Sequence, residues 1–463
     1  MTQAAIAPHA MKIINRHFKV AARELQIDGV GIESIAEKYG TPLFVYSSKV
    51  IDDQWNRLRA ALPREFSICY SVKANPNQAI LRHFLGKGAG LEIASGGEFL
   101  QATNAGCPPE RILFAGPGKS DEELEFVLER GIGEIHIESV NEVQRTATIC
   151  KKLNRSASLA IRVNPSSEAA GGAMRMGGRA AAFGIDEEKL DQVIDLMLSL
   201  PKIEFNGIHL FTGTQILDAN VLIAQYRKGL EIALRIRRRT KKLLHTIDFG
   251  GGLGIPHFAH EQELDTDALN IGLEKLMQET GRDPLLKNAH FLVEPGRYLV
   301  GEAGVYIARV VDIKVSREKK FLIVDGGMHH HLAASGNLGQ TIKRNYPVAI
   351  VNRLGGPANT PDGERVEVVG PLCTPLDVLA RDIELPRAEV GDLIGIFQSG
   401  AYARAASPLG FLSHRAPPEI WVDDGRDRLV RRRGTYADYL ADQISSDASA
   451  NEPSNTSADR AAS

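Results

Sequence analysis

The stretch SICYSVKANPN, Ser67 to Asn77, runs a β-branched apolar segment straight into a lysine and then into a turn broken by Pro76. A lysine at a buried strand end is costly unless its charge is paired or its amine is used chemically; otherwise the ammonium snorkels to solvent. On these residues alone the snorkelling reading is the better one, and the surrounding pattern has to decide. Similar short runs recur along the chain: LFVYS from Leu43, RILFAG from Arg111, EIHIES from Glu134, SLAIRVN from Ser158, FNGIHLF from Phe205, TIDFGGG from Thr246 and HFLVEPG from His290. Helical spacing fills most of the gaps, as in DEELEFVLERG from Asp121 and DEEKLDQVIDLMLSL from Asp186. Eight strands alternating with helices predict an α/β fold, a (β/α)8 TIM barrel over residues 41–300. An open doubly wound sheet shares this period, because periodicity does not show closure.

Beyond about Gly301 the texture changes to strand-like runs: GVYIARVVDIKVS, KFLIVDGG, VEVVGPL, LIGIFQSGA and PPEIWVDDG. These predict an all-β C-terminal domain over 301–435. Residues 11–40 are expected to pack with it, and they could add a strand to it. Residues 1–10 and 443–463, rich in Ser, Ala, Asn and Asp, are expected to be disordered tails.

With 463 residues, 43% hydrophobic and 24% charged, the composition is that of a soluble globular protein of two or three domains. A net charge of −2 and the absence of a long basic stripe argue against nucleic-acid binding; RIRRRTKK, Arg235 to Lys242, reads as a solvated helix face. Cys69, Cys107, Cys150 and Cys373 have neither metal-ligand nor disulfide spacing, which fits a reducing cytoplasm. The N-terminal MTQAAIAPHAMK has no signal-peptide core, and no run is long enough to span a bilayer.

Barrel active sites lie where strands end and loops leave for the next helix. Lys73 sits at such a place, as do Glu92 of LEIA with the following SGGE, Arg162 and Asn164, Gly213-Thr214-Gln215, Gly250-Gly251-Gly252, and Glu294-Pro295-Gly296-Arg297. Glycines let backbone N–H groups approach an anion, and an arginine fork matches a phosphate. A lone Gly-Gly-Gly is more often a tight loop; two such features at late strands favour a phosphate site. Lysine, phosphate site and carboxylate at one mouth suggest pyridoxal 5'-phosphate, with the amine bonding its aldehyde and the carboxylate keeping its pyridine nitrogen protonated.

YSVKAN, ASGGE, RVNP, GTQ, DFGGGLG, EPGR, GPLCTPLD and SGAY, in this order over residues 40–425, resemble the fold-type III pyridoxal-phosphate decarboxylases, the group of diaminopimelate and ornithine decarboxylases. The resemblance implies an alanine-racemase-like barrel, a C-terminal β-domain and a homodimer with shared active sites. It makes Lys73 the Schiff-base lysine and Glu294 the carboxylate facing the pyridine nitrogen. Gly251, Gly252, Gly296, Arg297, Thr214 and Tyr402 become phosphate-end residues, Glu92 an acid near the lysine, and Arg162 a neighbour of the ring. Cys373 is similar to the cysteine that crosses the dimer interface to protonate the carbanion, although a free cysteine is more often a small buried hydrophobe. A carboxylate at the ring nitrogen strengthens the electron sink that decarboxylation needs, whereas racemases of this fold place a cation there.

Two positions depart from that pattern. The family usually stacks a histidine on the ring where GIHLFTGTQ has Phe211; Phe211 is expected to stack and His209, two residues earlier, to be structural. The acid that follows the cysteine and pairs with a distal ammonium in diaminopimelate and ornithine decarboxylases is here Thr374. A buried ammonium without its carboxylate would not recover its desolvation cost, so a free diamino acid is disfavoured unless Asp377 takes over. The Cys-Thr-Pro-x-Asp pattern, MGG-R-x-x-x-FGI from Met176 to Ile185, DGGMHHHLAASGN from Asp325 and SPLGFLSH from Ser407 resemble a branch serving specialised pathways. That branch acts on carrier-protein-tethered glutamyl groups or siderophore intermediates. His329, His330 and His331 suggest substrate-pocket or loop duty rather than a metal site, since three consecutive residues cannot all face one ion. The expected activity is a decarboxylase of an amino-acid-derived substrate with an enlarged or acylated side chain. Decarboxylation of free diaminopimelate, lysine or ornithine, amino-acid racemisation, and a non-catalytic regulatory relative are the alternatives.

Overall fold

A computed structural model describes residues 8–166, 174–175, 180–211, 213–338, 343–354 and 363–444. Most of both expected tails, and Met176 to Arg179 of the MGG-R pattern, lie outside these residues. Residues 8–10 of the expected N-terminal tail are helical. A helix starts at Pro8 (Pro8–His17), because Ala10, Ile13 and Ile14 share one face and are buried.

Eight parallel strands close into a barrel: Phe66–Ser71, Gly90–Ile93, Ile112–Phe114, Glu134–Ile137, Ala157–Asn164, Ile203–Leu210, Thr246–Asp248 and His290–Val293. Closure comes from the last strand, where Phe291 lies opposite Phe66 of the first. One expected barrel strand belongs elsewhere. Leu43–Ser47 is buried along its whole length and pairs with Gly304–Ser316 on one side and Glu419–Asp423 on the other, inside the β-domain sheet. Its place in the barrel goes to Gly90–Ile93 of LEIA. Both are short continuous apolar runs, and a run buried on both faces carries no alternation to say which sheet it joins.

The β-domain sheet runs Val378–Leu385, Glu364–Val369, Lys319–Val324, Gly304–Ser316, Leu43–Ser47, Glu419–Asp423, Arg426–Arg431. Residues 19–31 make a small three-stranded sheet of their own. It is tied to the domain by backbone bonds from Leu25 N to Val351 O and from Gly425 N to Asp28 O, each 2.8 Å.

The two domains meet at the turn that carries Lys73. Asn75 Nδ2 donates to Gly400 O at 3.0 Å, Tyr402 N donates to Ala74 O at 2.8 Å, and Asn77 Nδ2 donates to Glu419 Oε2 at 3.0 Å. Asn77 also caps the next helix, Gln78–Gly86, by accepting from Ala79 N. The polar break after Lys73 is therefore a seam: it starts a helix and bolts the barrel mouth to the β-domain. Gly400 has no alternative there, since a Cβ would fall 1.7 Å from Val300 O.

Candidate active site

Lys73 sits in a single 3-10 turn, Val72–Ala74, at the C-terminal end of strand Phe66–Ser71. Its Nζ lies 3.0 and 3.1 Å from the two carboxylate oxygens of Glu92, which is fully buried and also accepts from Ser71 Oγ at 2.5 Å. The Lys73 side chain keeps 43% of its surface and faces the open mouth. Burial works against its charge, but Glu92, Tyr402 and Glu294 outweigh it and hold the amine above the ordinary lysine value. The charge is paired and the amine accessible.

Glu294, at the end of strand His290–Val293, is buried in a box of titratable groups. His209 Nε2 is 3.2 Å from its Oε2, and His136 Nδ1 is 3.9 Å from its Oε1. The two imidazoles lie 4.5 Å apart, and His136 Nε2 is 3.0 Å from Glu134 Oε1. Asp248, wholly buried beside Glu294, accepts from Gly250 N at 2.7 Å. Two buried carboxyls this close do not both ionise. Burial and Glu294 push Asp248 well above its usual range. Burial opposes Glu294 too, but His209, His136 and Lys73 hold it below the usual carboxylate range. Glu294 is the anion. Its Oε1 has no hydrogen-bond partner among the described residues. One atom each from His136, His209 and Glu294 lies within 4.8 Å of the others, a spacing a metal ion could also use.

His209, expected to be structural, packs against the central carboxylate, because alternation aims it into the barrel from the strand neighbouring Asp248. His136 and Asp248 were not singled out at all. Their only signal was an ionisable residue inside EIHI and TID, otherwise apolar barrel strands.

Around this centre stand the other expected residues. Phe211 lies against the glycine run, since a Cβ on Gly250 would come within 3.1 Å of its ring. Arg162 has its guanidinium 5.7 Å from the Phe211 ring and pairs with Glu138 at 2.8 Å. Gly251 and Gly252 are walls no side chain could share: a Cβ would fall 2.5 Å from Glu294 O and 2.7 Å from Gly213 O, beside half-buried Thr214. A Cβ on Gly296 would meet Ala74 at 2.9 Å. Arg297 places its guanidinium 4.7 Å from the Tyr402 ring, and its Nε is buried without a partner among the described residues. Tyr402 itself is left-handed, φ 54°, and bonded through its N–H to the Lys73 turn.

A second group lies apart from the first. Cys373 is exposed and Thr374 half-buried on the loop between strands Glu364–Val369 and Val378–Leu385. Among the described residues, no hydrogen bond, ion pair or ring contact joins this loop to the Lys73 cluster. Asp377 is not free to hold an ammonium: buried, it accepts from Met328 N at 2.6 Å and Leu372 N at 2.8 Å, closing its own loop. His329 and His330 are buried as well, their rings 3.7 Å apart, with His414 4.9 Å from His329. Burial, with His414, pushes His329 down to about 4.

A lysine amine at the mouth, an unpartnered buried carboxylate oxygen on the floor, side-chain-free glycine walls and an unpartnered guanidinium nitrogen fit pyridoxal phosphate. The sequence profile of the pyridoxal-dependent decarboxylases, pyridoxal binding domain, matches residues 48–301. The chain belongs to this family. The decarboxylase is 37% identical over 424 residues to an L-glutamyl-[BtrI acyl-carrier protein] decarboxylase of Niallia circulans, covering 91% of this chain and 97% of that one. It is 33% identical over 438 residues to a diaminopimelate decarboxylase of Aquifex aeolicus, covering 93% and 98%. It superposes on the crystal structure of the M. jannaschii diaminopimelate decarboxylase in co-complex with L-lysine with a TM-score of 0.84 at 28% identity, covering 93% of this chain and 98% of that one. Pyridoxal phosphate is its cofactor, and it acts on an amino-acid-derived substrate.

Proposed function

We propose that this decarboxylase removes the α-carboxylate of an amino acid whose side chain is acylated or tethered to a carrier, in a specialised biosynthetic pathway of the cytoplasm, as a homodimer. One observation carries the substrate reading. The loop expected to meet the distal end of the substrate offers Thr374 where diamino-acid enzymes of the family have an acid, and the loop's own carboxylate, Asp377, is buried and turned onto two backbone N–H groups. A distal ammonium would find no accessible carboxylate on that loop. A neutral amide or thioester-linked chain needs none, and a glutamyl-carrier decarboxylase is among the relatives.

In this reading Lys73 would hold the cofactor through its amine, which Glu92 orients. Gly251, Gly252, Gly296, Arg297, Thr214 and Tyr402 would hold the phosphate, and Phe211 and Arg162 would hold the ring. Bound pyridoxal phosphate supplies the sink for the electron pair left at the α-carbon when CO₂ departs. Glu294, kept anionic by its imidazole neighbours, would favour a protonated ring nitrogen and so deepen that sink. Cys373 of the second subunit donates the proton that replaces CO₂ at the α-carbon. Glu294 also favours decarboxylation over racemisation.

The test is CO₂ release over glutamyl-carrier protein, citryl-diaminopropionate, lysine and diaminopimelate, with chiral analysis of recovered substrate. Turnover is expected on an acylated or carrier-linked substrate, with diaminopimelate and lysine at least about 100-fold lower in kcat/KM, the cost of an unpaired buried charge. Equal turnover of free diaminopimelate would sink the substrate reading, and substrate epimerised without CO₂ would sink the reaction. Lys73→Ala is expected to lose both cofactor absorbance and turnover.

A further inference from the structure

Behind Arg297 the structure holds a hydrogen-bond chain whose direction can be read without ambiguity. Gln398, buried and left-handed at φ 58°, donates from Nε2 to Pro256 O at 2.7 Å. A carbonyl only accepts, so the NH₂ end of that amide must face Pro256 and its Oε1 must face His257 Nδ1, 2.9 Å away. Oε1 only accepts in turn, so Nδ1 carries the imidazole proton. His257 Nε2 is then a bare lone pair, and it faces Arg297 Nη1 at 3.3 Å. A guanidinium only donates, which closes the chain: Pro256 O, Gln398, His257, Arg297. The opposite tautomer would set two donors against each other. A protonated ring would add a cation against Arg297, and burial together with Arg297 pushes His257 down to about 3.

The chain also aims what remains of the fork. Tyr402 covers one face of the guanidinium, Tyr346 packs 5.3 Å from the His257 ring, and Nη1 is taken by His257. Arg297 Nε is buried with no acceptor among the described residues. A buried donor without an acceptor is destabilising, and a ligand oxygen placed there would relieve it.

We propose that His257, locked as the neutral Nδ1–H tautomer by Gln398, is a positioning residue that orients the Arg297 fork toward the phosphate group of the cofactor. The inference rests on the assignment of Arg297 to the phosphate end, so its test separates the two. The readout is affinity of the apoenzyme for pyridoxal phosphate and for phosphate-free pyridoxal, titrated by absorbance. Because His257 acts only through the phosphate, His257→Phe is expected to weaken pyridoxal phosphate about 10-fold, the loss of one charge-assisted contact, and to leave pyridoxal within about 2-fold. His257→Gln, which keeps an acceptor near Nε2, is expected to recover most of the loss. If His257→Phe does not fold, Gln398→Met, which unlocks the tautomer, takes its place with a loss of about 3-fold on the same pair of ligands. Unchanged affinity for pyridoxal phosphate, equal losses on both ligands, or failure of His257→Gln to differ from His257→Phe would each overturn the role of His257. Arg297→Ala reads the underlying assignment. If it leaves the preference for the phosphorylated form intact, the phosphate assignment fails and the inference with it. If it abolishes that preference while His257→Phe preserves it, His257 alone is wrong.

Discussion

At Glu294 and Asp248, one buried negative charge has two candidate owners, and their surroundings decide between them. Glu294 has two imidazoles and the Lys73 ammonium to favour its charge; Asp248 has one backbone N–H. The two therefore act on stability with opposite sign. Asp248 has a raised folded pKa, so its cost is absent below its unfolded value near 4 and grows as pH rises toward the folded value. Glu294 has a depressed one, so its contribution is present above an unfolded value near 4 and is lost as pH falls. Asp248→Asn mimics the protonated acid in shape and stays neutral in both states. Its melting temperature relative to the native protein is expected to climb by about 2 °C or more between pH 4.5 and 8. A flat or falling difference would show the proton sits on Glu294 instead. Glu294→Gln is expected to fade in the other direction, losing most relative stability at neutral pH, while kcat drops roughly 100-fold or more. The sequence made Lys73, Glu294 and Arg297 legible because each ends a strand inside a recognisable motif. It hid His136, His209 and Asp248, since an ionisable residue within an apolar strand looks the same whether it is satisfied locally or meets a partner from another strand.

The turn Lys73 to Asn77 is where one element answers to two domains. Its asparagines read in isolation as ordinary turn residues; the structure turns them toward Gly400 and Glu419, more than 300 positions away. No local pattern could show this. The same limit explains the exchange of Leu43–Ser47 for Gly90–Ile93: strand character was legible in both, partner sheet in neither, because pairing is decided by contacts remote in sequence. The seam predicts a coupled effect. Asn75→Ala removes the bond to Gly400 O and the Oδ1 that accepts from Asn77 N at 3.1 Å, both buried. Urea unfolding is expected to show a loss of about 2 kcal/mol. If the seam also fixes Lys73 against Glu92, cofactor affinity should fall with it, by about 5-fold at constant pH. A loss of stability with cofactor affinity intact would reduce the seam to scaffolding.

On the scale of the whole molecule, the residues assigned to one reaction stand in two groups. Lys73, Glu92 and Glu294 line the barrel mouth, while Cys373 stands exposed on a β-domain loop that no described contact joins to them. The proposed symmetric dimer would unite them, because a two-fold axis that sets one loop over the partner's mouth sets the reciprocal loop over the first. The consequence is arithmetical. Lys73→Ala and Cys373→Ala are each expected to be inactive alone, the second still holding its cofactor absorbance. After dissociation and re-association of an equal mixture, half the dimers carry one chain of each kind. Each such dimer has one mouth with a native lysine and a native opposing cysteine, and one mouth with neither. About a quarter of the native rate should return on the preferred substrate, from a mixture of two dead proteins. If subunit exchange is verified by mass and no activity returns, Cys373 does not act across the interface. The proton delivered to the α-carbon must then come from a group on the same chain as Lys73.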